Sequence, residues 1–485
     1  MLRKLLAAIA VLLVLVVAAG AYVWTRVRLP VVLAVPRQGI VLDGVTVINP
    51  GRPPQPGRRV VVEGGRIARI EAATQETGGS YAGTYVLPGL TDMHVHLPVE
   101  IYLRQAELFG FLFLVHGVTT VRDMGSFDGS SLVYRERVRR GEFAGPRIFA
   151  CGPIVDGDPP LWPNAKVARN PDEGRAVVNE LAALNVDCIK AYNSLTAETL
   201  AAIREAAHAK GLPVVGHVPL RVPYEQALLD DAQHLFGAAG SPPEGATSRA
   251  EILSPWLTID KDQFALVTRT VLDHDLANTP TLVAMEQLAT VESYEIARRS
   301  DAAALLPSYF SDVMWSPRIG LPMLRALNAD DYAAMRQSRN ARMQMVRILS
   351  AAGTRLHLGT DVQIPFVVPG VSLQQEMKLF LEAGVPLDQI WIYGTRGAAQ
   401  ALSVPDHGEI HEGAPADLLI FREDPTRSLT ALDTMEAVVA QGRFYPMATL
   451  RAGLEQYRRH YQDPWFNRIS HKLVELRMQQ LFDKH

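Results

Sequence analysis

The longest uninterrupted apolar stretch of the chain comes first. From Leu5 to Thr25 no charged residue breaks a run rich in Leu, Val and Ala, and the basic pair Arg3-Lys4 precedes it. A helix of that length reaches roughly 31 Å, enough to cross the hydrocarbon core of a bilayer. This predicts a single-span anchor with a cytoplasmic N-terminus and an extracytoplasmic, periplasmic remainder, although Arg26 and Arg28 reduce the charge asymmetry across the span. A cleaved signal has a shorter apolar stretch of about 7–15 residues. Ala19-Gly20-Ala21 nevertheless offers a cleavage site, so secretion after cleavage is the alternative. Residues 1–37 thus read as anchor and linker, the linker lying around 30–38.

The pattern then shortens. Between Gly39 and about Tyr85, Ile40-Val-Leu42 and Val45-Thr-Val-Ile48 flank the turn pair Asp43-Gly44, and Arg59–Glu63 and Arg66–Ile70 flank Gly64-Gly65. These are hairpin signals. Similar strands return at Ala416–Phe421 and at Ala437–Ala440, before Gln441-Gly442. The two pieces, 38–85 and 406–447, predict one small β-sandwich built from both flanks. Between them, over 86–405, strand-like and helix-like stretches alternate, as βα units of a parallel barrel do. The strand candidates are 90–96, 118–123, 147–152, 186–192, 213–218, 231–236, 277–283 and 354–360, the eight that a closed barrel requires. The fold class is therefore α/β: a (β/α)8 TIM-like barrel with a flanking β-sandwich and an N-terminal transmembrane helix.

His234 and Asp361 are 127 residues apart, where two βα units need roughly 60–70. The excess falls at 238–260 and 284–330, the latter carrying Tyr294, Tyr309, Phe310, Met314 and Trp315. Such insertions emerge beside the barrel mouth, either as a substrate lid or as a cover and oligomer contact. The C-terminal extension, 448–485, places Trp465, Phe466, Ile469, Leu473, Leu476 and Leu481 at helical spacing among Arg468, Lys472 and Arg477. This basic amphipathic helix packs on the protein's own body or lies on a membrane surface.

Composition adds two exclusions. With 20% charged residues and a net charge of −3 over 485 residues, the chain has no basic excess for a nucleic-acid partner. Cys151 and Cys188 are too few for a disulfide framework. Both fall in predicted barrel strands, so buried free thiols are expected, with a single bridge as the alternative.

Six side chains suited to metal ligation close these strands in order: His94, His96, Lys190, His217, His234 and Asp361. A barrel gathers strand-end residues at one mouth, where barrel enzymes do their chemistry. His94 and His96, at i and i+2, point to the same side and can grip one ion. Imidazole and carboxylate suit Zn²⁺ and similar ions. An ammonium group cannot ligate, and a buried Lys190 is costly unless modified. Either its amine captures CO₂ as a carbamate able to bridge two metals, or its tip reaches solvent or a carboxylate. Tyr192 shares the inward face of Lys190, either to stabilise an oxyanion or substrate carboxylate or to pack against the next loop. His116 is expected to end a helix, where the dipole favours a cation. His357 is expected to be a satisfied core histidine, and Arg122 and Asp123 to pair with each other or with neighbouring strands.

The chain resembles the amidohydrolase superfamily over about residues 38–447, in its imidazolonepropionase-like and prolidase-like peptidase branch. The resemblance rests on Leu87–His96, His116–Asp123, Ile189–Tyr192, Gly216-His217, Gln233-His234, Leu358–Asp361 and Gly413–Leu419. It implies two divalent metal ions, Zn²⁺ being the expected one. His94, His96 and Asp361 would hold the more buried ion and His217 and His234 the more exposed one, bridged by carbamylated Lys190. Two cations lower the pKa of a shared water so that hydroxide attacks a polarised carbonyl, and Asp361 would carry its proton to the leaving nitrogen. The implied activity is hydrolysis of a C–N amide bond in a dipeptide or N-acyl amino acid. A cyclic-amide or lactone hydrolase is the alternative, and an inactive membrane-tethered binding protein a remote one. The implied partners are a small-molecule or dipeptide-like substrate, the membrane through the N-terminal helix, and a second copy in a homo-oligomer. The span, the insertions and the C-terminal helix lie outside the family pattern.

Overall fold

The strands that carry the candidate ligands pair in sequence order. The computed structural model describes residues 2–74, 81–99, 103–126 and 129–482. Leu90–Val95, Val118–Asp123 and Arg147–Ala150 pair in parallel. Ile189–Ala191, Val214–Gly216, Asp231–Gln233, Ala277–Thr279 and Arg355–Leu356 do the same. Backbone bonds connect the two runs at both ends: Asp187 N–H donates to Ala150 O (2.8 Å) and Met93 N–H to Leu358 O (2.9 Å), beside a parallel bridge between Val95 and Val362. The result is a TIM-barrel-like α/β fold in which each expected strand contains an observed one. The short strands Val155–Asp156 and Lys166–Val167, which the hydrophobic pattern does not announce, extend the second run beside Ile189–Ala191.

The flanking pieces meet in one continuous seven-stranded sheet rather than in two layers that are separate by hydrogen bonding. Tyr85–Pro88 is the seam. It pairs in parallel with Ile40–Val47 and antiparallel with Leu418–Phe421, so strands from both flanks share backbone bonds. Leu42, Val45, Val60, Ile67, Leu418 and Val439 form a core of their own on this sheet, because alternating side chains of each strand turn to the same face.

The first helix, Leu2–Val27, leaves Leu12 to Val17 about 60% or more exposed. It is long and apolar enough to cross a membrane. The segment after it is not a free linker. Val27 and Leu29 are buried, Val32, Leu33 and Val35 pack against the main core, and Leu29 N–H donates to Leu103 O. At the other end, helix Pro464–Phe482 buries Phe466, Ser470 and Val474, and its Asn467 and His471 meet the Ser308 hydroxyl. The C-terminal helix thus packs on the protein's own body, with Trp465, Leu473 and Leu476 left exposed.

Cys151 and Cys188 are not free thiols; they form a disulfide with Cα atoms 4.4 Å apart. The cause is strand adjacency. Asp187 pairs with Ala150, which sets the following residue of each strand side by side. Of the two insertions, the first folds into helix Arg249–Thr258 with a Ser248–Glu251 capping box. The second buries Tyr309, Phe310 and Trp315, and the Trp315 indole donates to Gln363 O just past the last barrel strand.

Candidate metal centre

All six residues read from the sequence converge on the C-terminal ends of the parallel strands. Asp361 is the hub. One carboxylate oxygen lies 3.3 Å from His94 Nε2 and 3.2 Å from His96 Nε2, and the other lies 3.9 Å from His234 Nε2. The His94 and His234 rings are 4.5 Å apart and those of His217 and His234 4.8 Å. His94, His234 and Asp361 offer ligand atoms all within 4.8 Å of one another. Lys190 is fully buried beside them.

The four imidazoles share a construction. Each uses Nδ1 against an oxygen: His94 on Gln233 Oε1 (2.7 Å), His96 on Gly125 O (2.8 Å), His217 on Asn193 Oδ1 (2.7 Å) and His234 on Thr281 Oγ1 (2.5 Å). The Gln233 amide is itself oriented, because its NH₂ donates to Asp231 O at 3.0 Å. For His94, His96 and His217 the carbonyl oxygen on Nδ1 can only accept, which fixes the proton there and leaves the Nε2 lone pair free, the usual arrangement around a ligating histidine; the Thr281 hydroxyl at His234 can donate or accept. Gln233, Asn193 and Thr281 went unnoticed in the sequence. The only local signal is position: Gln233 precedes His234, and Asn193 follows Lys190 by three residues.

Burial drives the electrostatics. It lowers His94 to about 4, with Lys190 adding to the effect, and holds His217 and His234 well below the ordinary histidine range. These rings are therefore neutral and able to ligate. His96 is raised: burial lowers it, but the hydrogen bond and charge of Asp361 together with the charge of Asp123 outweigh that. Burial would raise Asp361, yet the surrounding imidazoles, His234 and His94 foremost, hold it well below the carboxylate range. Lys190 is pushed down to about 7, chiefly by burial, although Asp361 opposes the shift.

The backbone is strained where it aims these groups. His234, Leu235, Thr281 and Asp361 all have φ between 46° and 65°, a left-handed region that costs non-glycine residues of order 1–3 kcal/mol and is sustained only by surrounding structure. Here the support is visible. Glu376 accepts the Leu282 and Val283 N–H groups at 2.9 and 2.7 Å, fixing the chain just after Thr281. Asp92 accepts the Thr360 hydroxyl at 2.6 Å and the amides of His94 and Thr360, tying the first strand to the last. Gly359 has no alternative, since a Cβ there would sit 2.4 Å from Thr279 Cγ2.

Tyr192 stacks on His217 with ring centroids 4.1 Å apart, and its hydroxyl accepts from the Trp162 indole at 2.9 Å. Burial raises its pKa well above the ordinary phenol value, so it stays a neutral O–H donor. Deeper in the barrel, Arg122 pairs with Asp231 at 2.5 Å and His357 Nδ1 lies 3.1 Å from the same carboxylate. His357 is thus a core residue as expected, but only half satisfied: its Nδ1 meets Asp231 while its Nε2 is buried without a hydrogen-bond partner. Asp123 does not pair with Arg122; it accepts the Leu97 and Gly125 amides and so supports the carbonyl that holds His96. His116 does cap helix Gln105–Val115, but burial lowers its pKa, so the ring is neutral rather than the cation the dipole argument favours.

Two buried atoms decide whether this cluster fits a cation. His94 Nε2 and Lys190 Nζ have no hydrogen-bond partner, although buried polar atoms are seldom left unpaired. Neutral imidazole lone pairs and an ionised carboxylate converging on the same space make a donor set for Zn²⁺-like ions.

The amidohydrolase family model matches residues 85–444, most of the chain and all six of these side chains. The protein belongs to the amidohydrolase family. It is a hydrolase acting on amide bonds. No curated protein matches the sequence. Among solved structures, bottromycin amidohydrolase superimposes with a TM-score of 0.67 at 23% identity, over 87% of this chain and 91% of that one. A Xaa-Pro dipeptidase with methionine bound in its active site gives 0.62 at 18%, over 84% and 99%. A prolidase complexed with N-methylphosphonate-L-proline gives 0.61 at 18%, over 84% and 99%. At these identities the likeness is one of fold.

Proposed function

We propose that this amidohydrolase is a binuclear, metal-dependent enzyme that cleaves a dipeptide or an N-acyl amino acid. The observation that carries the reading is the set of four histidines whose Nδ1 atoms are all engaged, three of which turn Nε2 to Asp361, beside the buried, unpartnered Lys190 amine. The barrel is read as closed over 86–405, with 38–85 and 406–447 as the second unit, 1–37 as the anchor and linker and 448–485 as the extension. His94, His96 and Asp361 would hold one divalent ion and His217 and His234 a second, with Zn²⁺ the expected metal and a carbamate on Lys190 bridging them. Bound there, the ions would make water acidic enough to attack near neutral pH and would polarise the scissile carbonyl.

The chain's own residues supply the rest. Asp361, ionised at neutral pH, takes the proton of the attacking water and returns it to the leaving nitrogen. Tyr192 has its oxygen occupied by the Trp162 N–H, which leaves its own proton to donate to the developing oxyanion or to a substrate carboxylate. Asn193 and Gln233 hold His217 and His94 in the ligating tautomer, and Thr281 orients the His234 ring. A mononuclear, cyclic-amide reading has no use for Lys190, which favours the dipeptide-like class.

The same reading puts the catalytic unit outside the cytoplasm, tethered by Leu2–Val27. Two independent features support this: the exposed apolar helix and the disulfide, a bond that persists in oxidising compartments. The decisive experiment assays the Zn²⁺-loaded full chain in detergent against dipeptides, N-acyl amino acids, cyclic amides and lactones. Turnover of linear amides is expected. Turnover confined to cyclic amides or lactones would overturn the substrate class.

A further inference from the structure

The C-terminal helix has a second apolar face. Along Pro464–Phe482, Phe466, Ser470 and Val474 are buried against the body. Turned away from it, Trp465, Leu473 and Leu476 are 60%, 40% and 44% exposed, with the half-buried Ile469 among them. Positions 465, 469, 473 and 476 are spaced by four, four and three residues, which lines them along one stripe of a helix. Arg468 and Lys472 border the stripe on one flank and Arg477 on the other. Glu475, the one carboxylate of the helix, is bonded to Lys472 at 2.9 Å.

This helix begins where the apolar span ends. Asp463, immediately before it, accepts from Arg26 at 3.2 Å, and Arg26 stands in the last turn of Leu2–Val27. The same end of the span carries Tyr22 and Trp24, with the Arg26 and Arg28 guanidinium groups over their rings at 5.4 and 5.5 Å. Aromatic rings gather at the headgroup level of a spanning helix. Trp465 lies two residues beyond the ion pair, so the stripe starts at that level. The apolar window of the span is itself unburied, so the C-terminal helix does not run down beside it.

We propose that the exposed stripe of Pro464–Phe482 is a second membrane contact, resting on the surface of the bilayer that Leu2–Val27 spans. Trp465, Leu473 and Leu476 enter the boundary between headgroups and acyl chains, and Arg468, Lys472 and Arg477 reach the lipid phosphates. A helix of this make-up settles about 5–10 Å into that boundary, its basic side chains extending back to the charged layer. A second copy of the chain is the poorer occupant, because pairing two such stripes brings basic borders against one another, whereas a phospholipid surface complements them. The proposal rests on the reading of Leu2–Val27 as a membrane anchor.

Both cysteines of the chain are held in the disulfide, so one introduced thiol can be labelled selectively. The full chain is reconstituted in phosphatidylcholine–phosphatidylglycerol vesicles with an environment-sensitive fluorophore at Leu473→Cys or Leu476→Cys. Leu184→Cys, comparably exposed at the end of helix Pro171–Ala183, is the control, and Leu13→Cys reports the span. Lipids carrying a nitroxide on the upper acyl chain should remove about half or more of the emission at 473 and 476, the depth expected of an interfacial helix, and leave 184 unchanged. Trp465→Glu together with Leu476→Glu should free the 473 label from the quencher. Quenching at 473 and 476 no greater than at 184 would overturn the proposal. So would blue-shifted emission that the lipid quencher does not reach, which marks a protein partner. If the label at Leu13 is also unquenched, the anchor reading fails separately, and sedimentation with the same vesicles decides the surface. Binding that the two glutamates abolish supports it; no binding, or binding that survives them, overturns it.

Discussion

Lys190 offers the sharpest test of the metal centre. An ordinary lysine titrates near 10.5, whereas this one is pushed down to about 7. At pH 7 about half of the Lys190 amines are then uncharged, against about 3 in 10⁴ for a free lysine, a gain of roughly 10³ in the form that can capture CO₂. The expected experiment strips metal and CO₂ from the enzyme with a chelator at mildly acid pH, then restores Zn²⁺ with or without bicarbonate. Wild-type protein should regain two ions per chain and full activity only with bicarbonate, and ¹³C-bicarbonate should give a carbamate resonance. The sign of the pH dependence follows from the shift. Reconstitution should be fast above about pH 7 and slow by close to tenfold for each unit below it, as the amine protonates. Lys190→Ala should hold at most one ion and lose at least ~100-fold in kcat/KM, the upper range for removing a residue that merely supports a ligand. Propionate, an anion small enough for the vacated space, should restore part of it. Reconstitution indifferent to bicarbonate and pH, or an alanine variant with two ions and normal turnover, would refute the carbamate.

Asp361→Asn should lower kcat by about 10²–10⁴-fold, more for amides with poor leaving amines than for activated esters. A uniform loss across leaving groups would argue against proton transfer by this carboxylate. The double variant Cys151→Ala/Cys188→Ala opens a loop of 37 residues, and chain entropy puts the loss at roughly 4 kcal/mol. Urea denaturation checks this, and an unchanged midpoint would contradict it. A fragment starting at Val27 should be more stable than one starting at Arg37, since Val27 and Leu29 are buried and each contributes about 1.5–3 kcal/mol. Equal midpoints for the two fragments would count against the docking of this segment.

What the sequence disclosed was what is local. The strand ends that carry His94, His96, Lys190, His217, His234 and Asp361 are short apolar runs followed by a polar residue, and that signature needs no tertiary knowledge. The partners of those residues were hidden because they are distant along the chain. Gln233 meets His94 across 139 positions and Thr281 meets His234 across 47. Cys151 and Cys188 looked like ordinary buried thiols, since nothing in either strand states that the two are neighbours. The segment after the first helix read as a linker for a similar reason: Val27 and Leu29 sit among residues of no clear period, and only the surface near Leu103 makes them core.

The seam at Tyr85–Pro88 also bears on how the molecule comes into being. Its second partner strand, Leu418–Phe421, begins 330 residues after Pro88. At about 5–20 residues per second, ribosomal synthesis delivers that strand roughly 17–66 s after the seam has emerged. Throughout that interval the first four strands of the sheet expose an unpaired edge, the kind of template on which other chains can add. If the chain is threaded across a membrane as it is made, the edge waits on the far side. The enzyme's yield is then set by whatever shields residues 85–88 until the last seventh of the protein arrives.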